Sequence, residues 1–280
     1  MRRRLGLVVS SLLAVIALAA GGWLLDPAGS RESADPTPAL KTVSGTALYD
    51  RVTARMVEEG SATYTFSGSA GGGEARSGFA TLRFLAGGEP ARAFDGVVNL
   101  RSNSTGQTRA VLLPGAVYLA IPPAKGIPRS KPWLRVSAKP KTQLGRELGP
   151  MAEELRAAFD PGESLGLLRV THRVEVVGPD SVEGVSTTEH RATVPLRRAL
   201  TLVQDPAVRA QYRTMLAAGV RLLRYQLWVD SSGLPLRLHV DVPTTQAVYS
   251  VTGVYRRWGE PVTIVAPKAK QVFDSDRIKG

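Results

Sequence analysis

Residues 225–242 read YQLWVDSSGLPLRLHVDV. Tyr225, Leu227 and Val229 alternate with Gln226, Trp228 and Asp230. After Ser231-Ser232-Gly233, Leu234, Leu236, Leu238, Val240 and Val242 alternate with Pro235, Arg237, His239 and Asp241. A repeat of two puts successive side chains on opposite faces of a strand, so this stretch predicts a half-buried hairpin. Its turn carries the glycine that a reversing chain favours. A last strand is expected at about 246–256. Upstream the same pattern predicts strands at 61–69, 76–86, 91–101, 106–113, 115–121 and 132–137. Between them lie Gly71–Gly73, Gly87-Gly88, Asn103-Ser104 and Pro114-Gly115, the tight turns of an antiparallel meander. Two more strands are expected at 169–178 and 185–194.

Helical spacing interrupts this pattern at three points. Leu48, Val52 and Met56 recur every four residues, and Gly60 marks an end. Leu144, Leu148, Met151, Leu155 and Phe159 share a face, with Arg156 on the outward side. Asp160-Pro161 stops that run, because a residue before proline is pushed out of the helical region. A helix pair follows, the first opened by Pro195 with Leu196, Ala199, Leu200 and Val203 inward. The second is opened by Asp205-Pro206 in cap-then-first-turn order, and its apolar face is Val208, Tyr212, Met215 and Leu216. The fold class is α+β in one domain, a long antiparallel sheet with inserted helices. A 43% hydrophobic content excludes disorder as the main state, and 28 glycines with 19 prolines suit a turn-rich sheet.

The N-terminus addresses the compartment. Arg2, Arg3 and Arg4 precede the uncharged segment LGLVVSSLLAVIALAAGGWLL, residues 5–25, which reads as an export signal. Ala17-Leu18-Ala19 offers a cleavage pattern. Retained, the segment is long enough as a helix to cross one bilayer, with Trp23 at the interface. Both outcomes place the rest of the chain outside the cytoplasm and exclude nucleic acid as a partner. A net charge of +12 then favours anionic lipid or cell-wall polymer. Residues 26–42 carry three prolines and read as a flexible linker.

The absence of cysteine excludes disulfides, thiolate nucleophiles and a lipid-modified cysteine. His172, His190 and His239 show no metal-ligand spacing and read as surface or sheet-edge residues. Gly162-Glu163-Ser164-Leu165-Gly166 matches the nucleophile-elbow pattern, but an amphipathic helix precedes it where the elbow needs a strand. No catalytic residue, metal or cofactor is assigned. Lys125, Arg129, Lys131, Arg135, Lys139 and Lys141 cluster in a proline-interrupted stretch that reads as a solvated loop or a rim facing anionic groups.

Three stretches resemble one family: Lys131-Pro132-Trp133-Leu134-Arg135-Val136, Val182 to His190, and Leu227 to Arg237. They are similar to structural motifs of the LolA/LolB-like superfamily, and within it of the actinobacterial LppX/LprG-type lipoproteins. The resemblance covers roughly 43–260. It implies a curved half-barrel sheet with helices over its concave face, and a domain over 43–267 followed by a polar tail, 268–280. It also implies an extracytoplasmic carrier or chaperone for lipid or glycolipid acyl chains. The expected lipid-binding residues on helices are Leu48, Val52, Met56, Leu148, Met151, Leu155 and Phe159. On strands they are Phe66, Leu82, Phe84, Val98, Leu112, Tyr118 and Leu227. Two alternatives stay open: a regulatory domain of the same fold that binds a membrane-protein partner, and a secreted serine hydrolase built on Ser164. The missing lipobox cysteine points to the N-terminal segment as the membrane anchor.

Overall fold

The computed structural model describes residues 41–69, 76–85, 94–102, 106–121, 127–203, 206–244 and 247–277. The signal segment, most of the linker, Asp205 and the turns at Gly71–Gly73, Gly87-Gly88 and Asn103-Ser104 lie outside the described residues.

The chain opens with β1 (Lys41–Val43) and α1 (Gly45–Glu59). The Ser44 hydroxyl accepts from the Ala47 N–H at 3.4 Å, which satisfies one free donor of the first turn. At the other end Gly60 takes φ 79°, the left-handed conformation that only glycine enters without strain. Gly45 is required for docking rather than for its dihedrals. Its N–H donates to the Thr171 carbonyl at 3.2 Å, and a Cβ there would sit 2.1 Å from the Leu168 oxygen.

A meander follows: β2 (Ser61–Ser69), β3 (Arg76–Phe84), β4 (Phe94–Ser102), β5 (Gly106–Leu113), β6 (Ala116–Ala120) and β7 (Trp133–Ser137). Next come α2 (Gln143–Phe159), α3 (Pro161–Gly166) and a 3-10 turn at Leu167–Val170. The second meander is β8 (Val174–Val182), β9 (Val185–Pro195), β10 (Leu222–Asp230), β11 (Pro235–Pro243) and β12 (Val248–Arg256). Between β9 and β10 the chain makes α4 (Leu196–Leu202) and α5 (Pro206–Ala217). It ends with β13 (Val272–Asp274). All thirteen strands form one curved, unclosed sheet in the order β1-β8-β9-β10-β11-β12-β2-β3-β4-β5-β6-β7-β13. Every neighbouring pair is antiparallel except β7 with β13.

The two meanders join where β12 pairs with β2, in a register that sets Tyr255 opposite Tyr64 and Gly253 opposite Phe66. Phe66 is flanked on its other side by Gly78. Both glycines are spaces for rings. A Cβ on Gly253 would stand 2.1 Å from the Tyr64 hydroxyl oxygen, and one on Gly78 would stand 2.7 Å from the Phe66 ring. The sheet face under the helices therefore carries large side chains over bare backbone.

Three segments differ from the sequence-based expectation. The strand expected from residue 169 begins at Val174, because Leu167–Val170 coils into the 3-10 turn that receives α1. The tail contains β13, whose Asp274 sits beside Arg135 of β7. In the hairpin the register shifts between Trp228 and Val229. That bulge turns Leu236 to the outer face, where it packs with Trp228 and Val182, while Leu238, Val240 and Val242 stay on the inner face.

Gly253→Ala should lower stability by about 1–3 kcal/mol by overpacking against Tyr64. Gly166→Ala, with φ −56° and open space around it, should raise stability by about 0.5–1 kcal/mol. Urea unfolding midpoints of the two variants, with an unchanged slope, check both.

Candidate functional site

The helix-covered face of the sheet is the candidate site. Alternation along β2 and β3 puts Ala62, Tyr64 and Phe66, then Ala80, Leu82 and Phe84, on this inner side. Leu223, Tyr225, Leu227 and Val229 of β10 do the same at the other end of the sheet. These residues belong to one contiguous buried cluster with Leu48, Val52 and Met56 of α1 and Leu155 and Phe159 of α2. Val98 and Leu112 are also in it, and Leu148 and Met151 are half-buried against its edge. Thirteen of the fourteen residues expected to line a lipid site thus share one face.

Tyr118 does not. It alternates with Val117 and Leu119, which point inward, so it lies on the outer face opposite Arg135 in register. The strand lies where its alternation predicts but in the opposite phase, since both Val117 and Tyr118 are apolar enough to face inward. Arg156 also departs from its expected outward position: its guanidinium donates to the Leu113 carbonyl at 3.0 Å.

Aromatic rings concentrate where α2 meets the seam. Phe159 meets Phe66 edge-on at 5.4 Å and 67°, and Tyr64 lies 4.7 Å from Tyr255. Tyr255 in turn stacks on Trp258 at 5.5 Å, and Phe84 lies 5.8 Å from the same indole. Tyr255 and Trp258 were missed as site residues, although the alternation of β12 alone marks Tyr249, Val251, Gly253 and Tyr255 as one face. Burial raises the Tyr64, Tyr225 and Tyr255 hydroxyls well above the ordinary phenol range, so all three stay neutral.

One histidine is part of this face. His190 shares the β9 side of Ala192 and Val194 and stands opposite Leu227, so it is buried in mid-sheet rather than at an edge. Burial holds its imidazole below the ordinary value, and the Arg51 charge acts in the same direction. The Thr188 carbonyl, 3.1 Å from Nδ1, acts against them.

The other motifs lie elsewhere. Ser164 is inside α3, its N–H 3.3 Å from the Asp160 carbonyl, so a helix–helix junction stands where the elbow needs strand, turn and helix. On the outer face His239 contacts Thr252 Oγ1 at 2.8 Å and Asp241 Oδ1 at 3.0 Å, and Ser250 donates to that same oxygen at 2.6 Å. This is a hydroxyl–imidazole–carboxylate row on the outer face of the sheet. Strands β11 and β12 are paired on both sides, so their backbone N–H groups are committed to the ladder rather than free to hold an oxyanion. No group of three metal-ligating side chains occurs among the described residues. Of the basic cluster, Arg135 is bound by Asp274 at 3.1 Å, and the Lys141 N–H donates to Asp276 at 2.8 Å.

The described fold is similar to two mycobacterial structures. LprF from Mycobacterium bovis matches with a TM-score of 0.45 and 16% identity over 80% of this chain and 96% of that one. The lipoprotein LppX from Mycobacterium tuberculosis matches with a TM-score of 0.45 and 13% identity over 79% and 99%. A LolA superfamily protein from Nitrosomonas europaea matches with a TM-score of 0.29 and 7% identity over 77% and 92%. No family model and no curated sequence matches the chain.

Two pH responses follow. The unfolded His190 titrates near pH 6.5 and the folded one below it, so the unfolded chain takes the proton first on acidification. Stability is whole above about pH 6.5 and declines as the pH falls below it, and His190→Gln should flatten that decline in thermal melts. The buried tyrosines act at the alkaline end. Their folded values lie above the unfolded value of about 10, so stability is whole below that pH and falls as pH rises through it. Phenolate absorbance should show these three ionising only together with unfolding.

Proposed function

We propose that the chain is an extracytoplasmic lipid-binding carrier, a binding module rather than an enzyme, holding acyl chains between the inner sheet face and helices α1, α2 and α5. The observation that carries this reading is the distribution of methionine. Apart from Met1, every methionine of the chain sits on a helix against the sheet: Met56 on α1, Met151 on α2 and Met215 on α5. An unbranched thioether repacks around guests of different shape at little cost, whereas branched residues hold one arrangement. The inner face opposes these helices with apolar and aromatic groups, and its tyrosine hydroxyls are neutral.

The energetics suit such a guest. Burial gains about 0.8 kcal/mol per CH₂, so a fourteen-carbon tail gains on the order of 10 kcal/mol before ordering costs. A charged headgroup would lose its hydration inside this face and stays at its rim. Arg2–Arg4 and residues 5–25 supply export, and retained they tether the carrier to the membrane.

Met151 is half-buried at the edge of the cluster and Glu153 is exposed on the same helix, so a charge can be placed at either without opening the core. Organic extracts of the purified wild type should contain lipid on mass spectrometry. Met151→Arg should reduce lipid per mole of protein several-fold, and Glu153→Arg should leave it unchanged. Wild type that carries no lipid and binds no fluorescent fatty acid, or equal loading of both variants, would overturn the reading.

A further inference from the structure

The positive charge of this chain is unevenly placed. Between Arg191 and Val229 there are seven arginines, no lysine and a single acidic residue, Asp205. Arg169 and Arg173 lie in a second stretch, 165–174, that has no acidic residue. The fold brings both stretches to one end of the sheet. Pro195 at the end of β9 is in register with Leu222 at the start of β10, and Val43 with Val174 at the start of β8. The Leu196 N–H donates to the Arg221 carbonyl at 3.0 Å, and α4 packs on both α5 and the 3-10 turn at Leu167–Val170. Arg198 contacts His172 across this junction.

Few of these guanidiniums are neutralised. Arg169 lies 3.5 Å from Asp50, and Arg191 is bound by Glu189 at 2.7 Å. Arg209 and Arg221 donate to the Val203 and Leu216 carbonyls, each at 3.4 Å. Arg173, Arg197, Arg213 and Arg224 are exposed and have no carboxylate partner among the described residues. Next to them stands an exposed apolar side chain. Leu202 is 52% exposed at the end of α4, four residues after Arg198 and therefore on the same helix face.

We propose that the α4–α5 end of the molecule is a docking surface for an anionic phospholipid bilayer. Unpaired arginines hold the phosphate plane, with fork-shaped donors that match phosphate oxygens, and Leu202 enters the acyl boundary beside them. A soluble anionic polymer would explain the arginines but gives no role to an exposed leucine within them. The proposal deepens the carrier reading, since docking here brings α5 and its Met215 close to the membrane from which an acyl chain is taken.

The chain has no cysteine, so one introduced thiol is labelled uniquely. The full chain carrying Leu202→Cys, labelled with an environment-sensitive fluorophore, is reconstituted into vesicles containing a doxyl-lipid quencher. Quenching is expected in phosphatidylglycerol vesicles and not in pure phosphatidylcholine, and it should fall at least fivefold with Arg197→Glu and Arg213→Glu together. A Val185→Cys label sits at the opposite end of β9, about 30 Å away, and should stay unquenched in both vesicles. No quenching at residue 202 in phosphatidylglycerol, or equal quenching in both lipids, overturns the proposal. So does retention of a soluble anionic polymer by the wild type, lost on charge reversal, when the Leu202 label never meets lipid. Docking without extractable lipid would leave this proposal standing and remove the carrier reading instead.

Discussion

Everything in this molecule depends on the pairing of β12 with β2. It joins residues nearly two hundred positions apart, Tyr255 with Tyr64 and Arg256 with Thr63. Without it the chain would hold two separate meanders, each with an open edge and half an apolar face. Long-range pairing of this kind carries a loop-closure cost that must be recovered in burial. The recovery is local: Tyr64 lies over Gly253, Phe66 lies over Gly78, and Tyr255 and Trp258 stack beside them. The glycines make the seam flat enough for rings, and the rings hold the seam.

That seam organises what lies above it. Phe159 at the end of α2 meets Phe66, while Gly45 at the start of α1 is bound to Thr171. Helices from three places in the chain are thereby set on one continuous apolar surface. The outer face shows the opposite chemistry. There Asp180 accepts from the Trp228 indole at 2.7 Å, Arg237 lies over the same ring, and Arg256 pairs with Glu183. These contacts pin the β8–β9 hairpin against the sheet and let the inner face stay almost purely apolar.

Charge divides along the molecule as well as across it. Near β7, Arg135 meets the carboxylates of Asp274 in β13 and Asp276 in the following turn. The arginines of α4, α5 and the adjoining strand ends have no such counterpart.

The strands, helices and turns were largely legible in the sequence, because periods of two and of nearly four are local properties of the chain. Ser44 and Gly60 bound α1 through hydrogen bonds and dihedrals within their own turns, and the alternation in 225–242 marks a face without reference to any partner. Where the pattern was ambiguous, the tertiary structure decided. Tyr118 faces outward because its phase is set by β5 and β7, and Leu236 turns outward because a bulge two residues from Asp230 re-aims it. His190 is buried in mid-sheet on β9, paired with Val176 of β8 and Leu227 of β10, and a sequence window around β9 contains neither neighbour. The sheet and its helices could be read residue by residue. Which strand meets which, which side of β6 is inside, and which arginines remain unpaired depend on contacts between residues far apart in the chain, and no local period encodes them.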